Sequence, residues 1–140
     1  MKLKFLKLNL DAKAPTRAHA DDAGMDLYCC EAFTIEPGGR TSVGTGIAFE
    51  IPAGHVGLIW EKSGLSHTYG IKLFGGVIDA GYRGEIKVGM INLSDKAFSF
   101  EKGHKIAQMI IQKIEQVELV ESSSLEESVR GDKGFGSTGK

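Results

Sequence analysis

The sequence predicts an all-β domain, a sandwich or barrel of short strands. Three observations predict it. Short runs of alternating apolar residues recur between Gly-rich turns. The 140 residues hold 19 glycines but only 3 prolines, so turns are plentiful and the strands are left unbroken. Almost no segment repeats its apolar residues at the helical period.

The elements follow in order. "KLKFLKLNL" alternates at Leu3 and Phe5, then changes phase to Leu6, Leu8 and Leu10, which predicts a strand with a bulge. "AGMDL" enters a second strand. After the turn "EPGGR", Val43, Thr45, Ile47, Phe49 and Ile51 alternate toward one face. "PAGH" turns the chain into the strand "VGLIW". "EKSGLSHTYG" has room for a helical turn. Val77-Ile78 is a short apolar strand before "DAGY", and "EIKVGMINL" is a longer one. "SDK" turns into "AFSF", and "EKGH" into "KIAQMIIQKI". "VELV" closes the series as a last strand. In "SSSLEES", Ser123 stands three before Glu126, a capping-box spacing that predicts another short turn.

Composition narrows the function. The formal net charge is −1 with lysines and acids interspersed, so a coat for nucleic acid or membrane has no electrostatic support. No apolar run reaches the roughly 18 residues of a membrane span. Lysines interrupt the apolar start, and no cleavage-site pattern follows. Cys29 and Cys30 are adjacent and cannot form an ordinary framework disulfide, which favours a reducing, cytoplasmic compartment. His19, His55, His67 and His104 have no metal-ligand spacing.

Five stretches carry candidate chemistry. "GFGSTGK", at Gly134 to Lys140, fits G-x-x-x-x-G-K literally. A P-loop needs a following helix and a Ser or Thr after the Lys, and the sequence supplies neither. What survives is an anion nest of Gly136, Ser137 and Thr138, with Arg130 upstream and the ring of Phe135 in its middle. In "GGVIDAGYRGEIKV", Asp79 follows an apolar strand, where an acid can be desolvated and aimed as a general base. The plain alternative is a turn Asp that bonds the backbone of "DAGY". Tyr82 is either packing or a wall for a flat ligand. Ser63-Gly64 offers a hydroxyl and a close backbone approach, though such pairs are common in turns. Asp26 in "DDAGMDLY" reads on its own as a solvated loop acid. Gln108 lies in the apolar run "KIAQMI", where a buried amide must find partners.

The order and spacing of these stretches say more than each alone. "AGMDL", "EKSGLS", "GGVIDAGYRGEI", "HKIAQMI" and "RGDKGFGSTG" resemble, in sequence order, the five motifs of the trimeric dUTPases, from Ala23 to Gly139. The resemblance implies a jelly-roll-like β-clip subunit in a homotrimer. It implies a domain over residues 1–121 and a mobile C-terminal arm over 122–140 that closes an active site between subunits. It implies hydrolysis of dUTP to dUMP and pyrophosphate, which limits uracil entry into DNA and supplies dUMP for dTMP synthesis. Asp79 matches the acid that activates the attacking water. Tyr82 matches the aromatic under the deoxyribose. Lys62, Ser63, Gly64 and Gln108 fall at the phosphate contacts. Asp26 matches the acid that reaches Mg²⁺ through a water, the metal being carried by the triphosphate. The backbone around Phe74, Gly75 and Gly76 matches the hairpin that reads uracil. Arg130, Gly136, Ser137 and Thr138 match the phosphate clamp, and Phe135 the ring that stacks on the base.

The chain departs from the family pattern at four places. Lys62 stands where Arg is usual and Glu61 where Pro is common. Lys105 replaces another usual Arg, a position suited to a structural pairing. Met25 replaces a common Tyr. Two rival readings are a dCTP deaminase, alone or combined with dUTPase activity, and an idle nucleotide-binding regulatory module. The deaminase needs a further acid beside the base-reading hairpin, and "KLFGGV" carries none. Intact Asp79, Tyr82 and tail motifs weigh against the idle module.

Overall fold

The computed structural model describes residues 1–134. In order the elements are β1 (Lys4–Lys7), β2 (Met25–Tyr28), β3 (Phe33–Ile35), β4 (Arg40–Gly44), β5 (Ile47–Glu50) and β6 (His55–Trp60). Then come α1 (Ser63–Tyr69), β7 (Ile71–Phe74), β8 (Val77–Ile78), β9 (Lys87–Asn92), β10 (Phe98–Phe100) and β11 (Lys105–Lys113). The all-β prediction holds, and the one helical turn falls where it was expected.

The strands form antiparallel groups: β2-β11-β6-β8, β4-β9-β7, and the pairs β1-β5 and β3-β10. Leu27, Val43, Ile47, Phe49, Ile51, Ile71, Ile86, Val88, Met90, Ile106 and Met109 meet in one core. The expected alternation from Val43 to Ile51 is real, since all five of its residues are buried. It spans two strands rather than one. Gly46, at φ +65°, breaks the run between β4 and β5, and Thr45 joins the break to β9's approach by donating its hydroxyl to the Ile86 carbonyl at 2.8 Å.

Three local expectations are corrected. The first strand is only Lys4–Lys7, with all four residues exposed, and pairs with β5 without a bulge. Pairing continues through the change of phase to Lys7, and Leu10 stands free of the core. Residues 117–120 form no strand, and Val117, Leu119 and Val120 are exposed. Alternation alone cannot make a strand when no described strand lies beside it to take its hydrogen bonds. Residues 123–126 make no helical turn either. Ser122 instead takes the backbone N–H of Ser124, the local competition that Ser side chains offer.

Candidate active site

One row across the four-stranded sheet carries three side chains. Asp26 on β2 is directly opposite Gln108 on β11, which is opposite Trp60 on β6. A register shift between Lys105 and Ala107 bulges β11 just before this row. Bulges re-aim side chains next to functional sites, and here Lys105 turns its ammonium onto Asp26.

Asp26 is 3% exposed. The expectation of a solvated loop acid is therefore corrected. Its Oδ1 accepts from Lys62 Nζ at 2.5 Å and its Oδ2 from Lys105 Nζ at 2.6 Å. Burial opposes its ionisation, but the hydrogen bonds from Lys105 and Lys62 and their charges outweigh burial. The carboxyl is held below the ordinary Asp range. The two lysines that replace usual arginines thus meet on one acid, and the cluster keeps one net positive charge.

Gln108 donates its amide to the Glu61 carbonyl at 2.8 Å, which gives the half-buried amide a backbone partner. Gly24 makes this position possible. A Cβ there would stand 2.3 Å from Gln108 Oε1. We expect Gly24→Ala to push the amide off the Glu61 carbonyl. The variant should raise the KM for nucleotide roughly tenfold while its melting temperature moves by only a few degrees, and steady-state kinetics beside a thermal melt read both. An unchanged KM would remove Gln108 from the binding surface.

Next to this cluster the chain turns from β6 into α1. Lys62 is the extended residue before the helix and has no side-chain cap. Ser63 and Gly64 open the helix and are exposed, and nothing lies within 4 Å of a Cβ at Gly64. The hydroxyl and the first-turn N–H groups are therefore accessible from outside.

A second cleft, of about 270 Å³, is lined by Val77, Ile78, Asp79, Tyr82, Glu85 and Lys87. The tight turn after β8 builds it. Tyr82 N–H donates to the Asp79 carbonyl at 3.1 Å, and the Arg83 guanidinium ties the Ala80 and Tyr82 carbonyls at 2.6 and 2.8 Å. Tyr82 donates its hydroxyl to the Glu85 carbonyl at 3.0 Å, which fixes the ring while leaving it 46% exposed. Among the described residues no donor bonds the Asp79 carboxylate, so Asp79 is not a turn acid spent on its own backbone. It is also exposed, and the desolvation expected of it is not provided by this chain alone.

The hairpin between β7 and β8 turns at Gly75, φ +68°. Gly76 lies against β6: a Cβ would meet the Ile59 carbonyl at 2.6 Å, and the Gly76 carbonyl accepts Ile59 N–H at 2.8 Å. The expectation that no acid stands beside this hairpin is corrected. Glu61 does, with its carboxylate on Lys72 and on the N–H of Leu73.

The structure brings Asp26, Lys62, Gln108 and the Ser63-Gly64 corner together, and it gathers Asp79 and Tyr82 in the cleft at β8. It does not bring these two groups to each other. Ile78 pairs with Gly57 on β6, and Lys62 lies five residues further along. That is on the order of 15 Å at the rise of a strand, and Asp79 continues in the opposite direction. Arg130 is exposed, with its Nε donating to the Lys133 carbonyl at 2.9 Å. Phe135, Gly136, Ser137, Thr138 and Lys140 lie outside the described residues.

Among the described residues no three His, Cys, Asp or Glu side chains converge as a metal cage, and no helix is long and apolar enough to cross a membrane. Both cysteines are free thiols. Sequence reasoning missed the Glu61 contacts and the pairing of both lysines with Asp26. Lys105 does take the structural pairing expected of it, and the signal for the shared acid was two Arg-to-Lys departures in one chain.

Comparison with known proteins agrees with this architecture. A family model described as dUTPase matches residues 11–139. The deoxyuridine 5'-triphosphate nucleotidohydrolase of Corynebacterium glutamicum is 47% identical over 99% of this chain and 95% of its own length. Among solved structures, a variant of the Staphylococcus bacteriophage 80alpha dUTPase with dUpNHpp superposes with a TM-score of 0.93 at 31% identity, covering 99% of each chain. A variant of the dUTPase from phage phi11 of S. aureus, in which a structural Mg(II) ion is coordinated, gives 0.85 at 27% identity over 91% of this chain and all of that one. With its motifs in order, its β-clip architecture and a family match that spans nearly its whole length, the chain belongs to the dUTPase family.

Proposed function

We propose that the chain hydrolyses dUTP to dUMP and pyrophosphate, with Asp79 as the general base. The observation that carries this reading is the cleft at β8, where an unpaired carboxylate sits beside the open face of an anchored aromatic ring. Asp79 takes a proton from a water aligned with the α-phosphorus, the water oxygen bonds to phosphorus, and pyrophosphate leaves with the electron pair of the broken bond. The face of Tyr82 packs under the deoxyribose and leaves no room for a 2′-hydroxyl. Backbone groups at Gly75 and Gly76 pair with the edge of uracil, and cytosine's reversed pattern leaves donors and acceptors unpaired.

Lys62, Ser63, Gly64 and Gln108 receive the phosphates. Since one chain holds this corner some 15 Å from the Asp79 cleft, the site is completed between copies, which fits a homotrimer. The domain is residues 1–121, and the segment 122–140 is the arm that reaches a neighbouring site with Arg130, Phe135, Gly136, Ser137 and Thr138. Asp26 would meet Mg²⁺ carried by the substrate through water. It is 3% exposed and holds a lysine on each oxygen in a cluster of net positive charge, so this role would require Lys62 to turn from Asp26 onto the phosphates. The ion supplies charge neutralisation on the phosphates. The chain acts in the cytoplasm, limiting uracil entry into DNA and supplying dUMP for dTMP synthesis.

The test is a substrate panel with Mg²⁺: pyrophosphate release from dUTP, dTTP, dCTP and UTP, and ammonium release from dCTP. We expect dUTP to exceed the others by about a hundredfold or more in kcat/KM. Equal turnover of UTP would sink the role of Tyr82, and ammonium from dCTP would replace the reading with a deaminase.

A further inference from the structure

The side chain of Glu61 is only 14% exposed and lies between two parts of the fold. Its Oε1 accepts from Lys72 Nζ at 2.5 Å and from the backbone N–H of Leu73 at 3.3 Å. The strand β7 is the outer strand of β4-β9-β7. Alternate N–H groups on an outer strand have no neighbouring strand to bond, and the carboxylate of Glu61 takes the place of that missing strand at Leu73. Burial opposes its ionisation, yet the Lys72 ammonium, the Leu73 N–H and the Lys72 charge hold its carboxyl below the ordinary Glu range.

Three residues beyond Leu73, the carbonyl of Gly76 accepts Ile59 N–H at 2.8 Å. The tip Phe74-Gly75 is therefore clamped at both ends against one line of chain, at Ile59 by backbone and at Glu61 by a carboxylate. The backbone of Glu61 also receives the amide of Gln108. A proline, common at this place in the family, has no carboxylate to offer Lys72 or Leu73.

We propose that Glu61 is a positioning residue for base selection: through Leu73 and Lys72 it fixes the hairpin tip whose Gly75 and Gly76 backbone pairs with the base. The inference rests on the reading of that hairpin as the uracil reader. Recognition by fixed backbone groups rejects a wrong base only while those groups cannot shift to suit it. A tip released at Leu73 keeps its Gly76 anchor and gains freedom at Gly75, so it accommodates cytosine better and uracil worse.

The experiment measures kcat and KM for dUTP and dCTP, with a thermal melt, in Glu61→Ala, Glu61→Gln and Lys72→Ala. In Glu61→Ala the dUTP-to-dCTP ratio of kcat/KM should fall roughly tenfold or more, mainly through a higher KM for dUTP. Glu61→Gln still accepts the Leu73 N–H and should keep the ratio within about threefold of the native value. If Glu61→Ala does not fold, Lys72→Ala carries the test and should lower the ratio while Glu61→Gln does not. A ratio unchanged in every folded variant, with only the melting temperature lowered, makes the contact purely structural and overturns the proposal. Gly76→Ala assayed alongside separates the two failures, since a Cβ there meets the Ile59 carbonyl at 2.6 Å and displaces the tip itself. A lowered ratio in Gly76→Ala with unchanged Glu61 ratios rejects the Glu61 role alone, whereas an unchanged ratio in Gly76→Ala rejects the hairpin as the base reader.

Discussion

Asp79→Asn should bind the unhydrolysed analogue dUpNHpp about as well as the native chain and turn dUTP over roughly a thousandfold more slowly, the usual scale for loss of a general base. The backbone around Asp79 gives reason to expect so clean a separation. Ile78 is pinned to Gly57 by strand pairing, Tyr82 N–H closes the turn on the Asp79 carbonyl, and Arg83 braces two further carbonyls. None of these contacts uses the carboxylate. Replacing one oxygen by an amide nitrogen therefore leaves the turn, the Tyr82 ring and the cleft in place. It removes only the capacity to take a proton, since an amide oxygen still accepts a hydrogen bond from water but is a very weak base. Single-turnover kinetics with dUTP and calorimetric titration with dUpNHpp read the two quantities separately. Retained turnover would take the base role from Asp79. A variant that no longer binds would make the carboxylate a binding group, with the proton accepted elsewhere.

The contrast between the two halves of the site shows which information a sequence displays. Asp79 and Tyr82 were legible because their geometry is local: three residues of turn, a preceding apolar pair and a following glycine determine where both side chains go. The same holds for Val43 to Ile51, where alternation reports one buried face, although it did not reveal that Gly46 divides the run into two strands. The proposed phosphate corner was legible only as separate fragments. Asp26, Lys62 and Lys105 come from a strand, the residue before a short helix and a bulged strand. Their meeting depends on register across β2, β11 and β6, which no single stretch encodes. Glu61 was hidden for a related reason. Its role follows from β7 being an outer strand, a property of sheet order rather than of residues 60–64.

The misread segments follow the same logic. Alternation at residues 3–10 and 117–120 states that two sides of the chain have different surroundings, and it does not name the neighbour. Among the described residues of one chain, Leu10, Leu119 and Val129 stand almost wholly exposed. Their exposure is what the proposed assembly between copies would resolve, and it is consistent with a site whose halves lie on opposite ends of β6.

Deleting residues 130–140 should leave the fold and melting temperature nearly unchanged and lower kcat/KM for dUTP by roughly a hundredfold to ten-thousandfold. The first half of that expectation comes from packing. Among the described residues the core ends at β11, and the last backbone tie from the C-terminal segment to the body is Ile114 N–H to the Gly54 carbonyl at 2.9 Å. Beyond it, the backbone bonds are local, from Gly131 to Ser128 and from Lys133 to Arg130. Of the residues removed, Arg130, Gly131, Asp132 and Lys133 are exposed, and their loss takes nothing from the core. The second half comes from what the arm would bring to a neighbouring site. A stacked aromatic contributes about 1–3 kcal/mol per base, which is the share assigned to Phe135. Hydrogen bonds to a charged group contribute about 1.5–3 kcal/mol each, the kind of contact assigned to Arg130, Ser137 and Thr138. One stacking contact and one charged hydrogen bond together already reach the lower bound. The single change Phe135→Ala should account for about tenfold to a hundredfold of it, and Phe135→Trp, which keeps a stacking face, for much less. Pyrophosphate release by the truncated and point variants, with sedimentation to follow their oligomeric state, decides the matter. A truncated chain with native kcat/KM would make residues 130–140 a frayed end. One that loses activity because it no longer assembles would move their role from the phosphates to the interface.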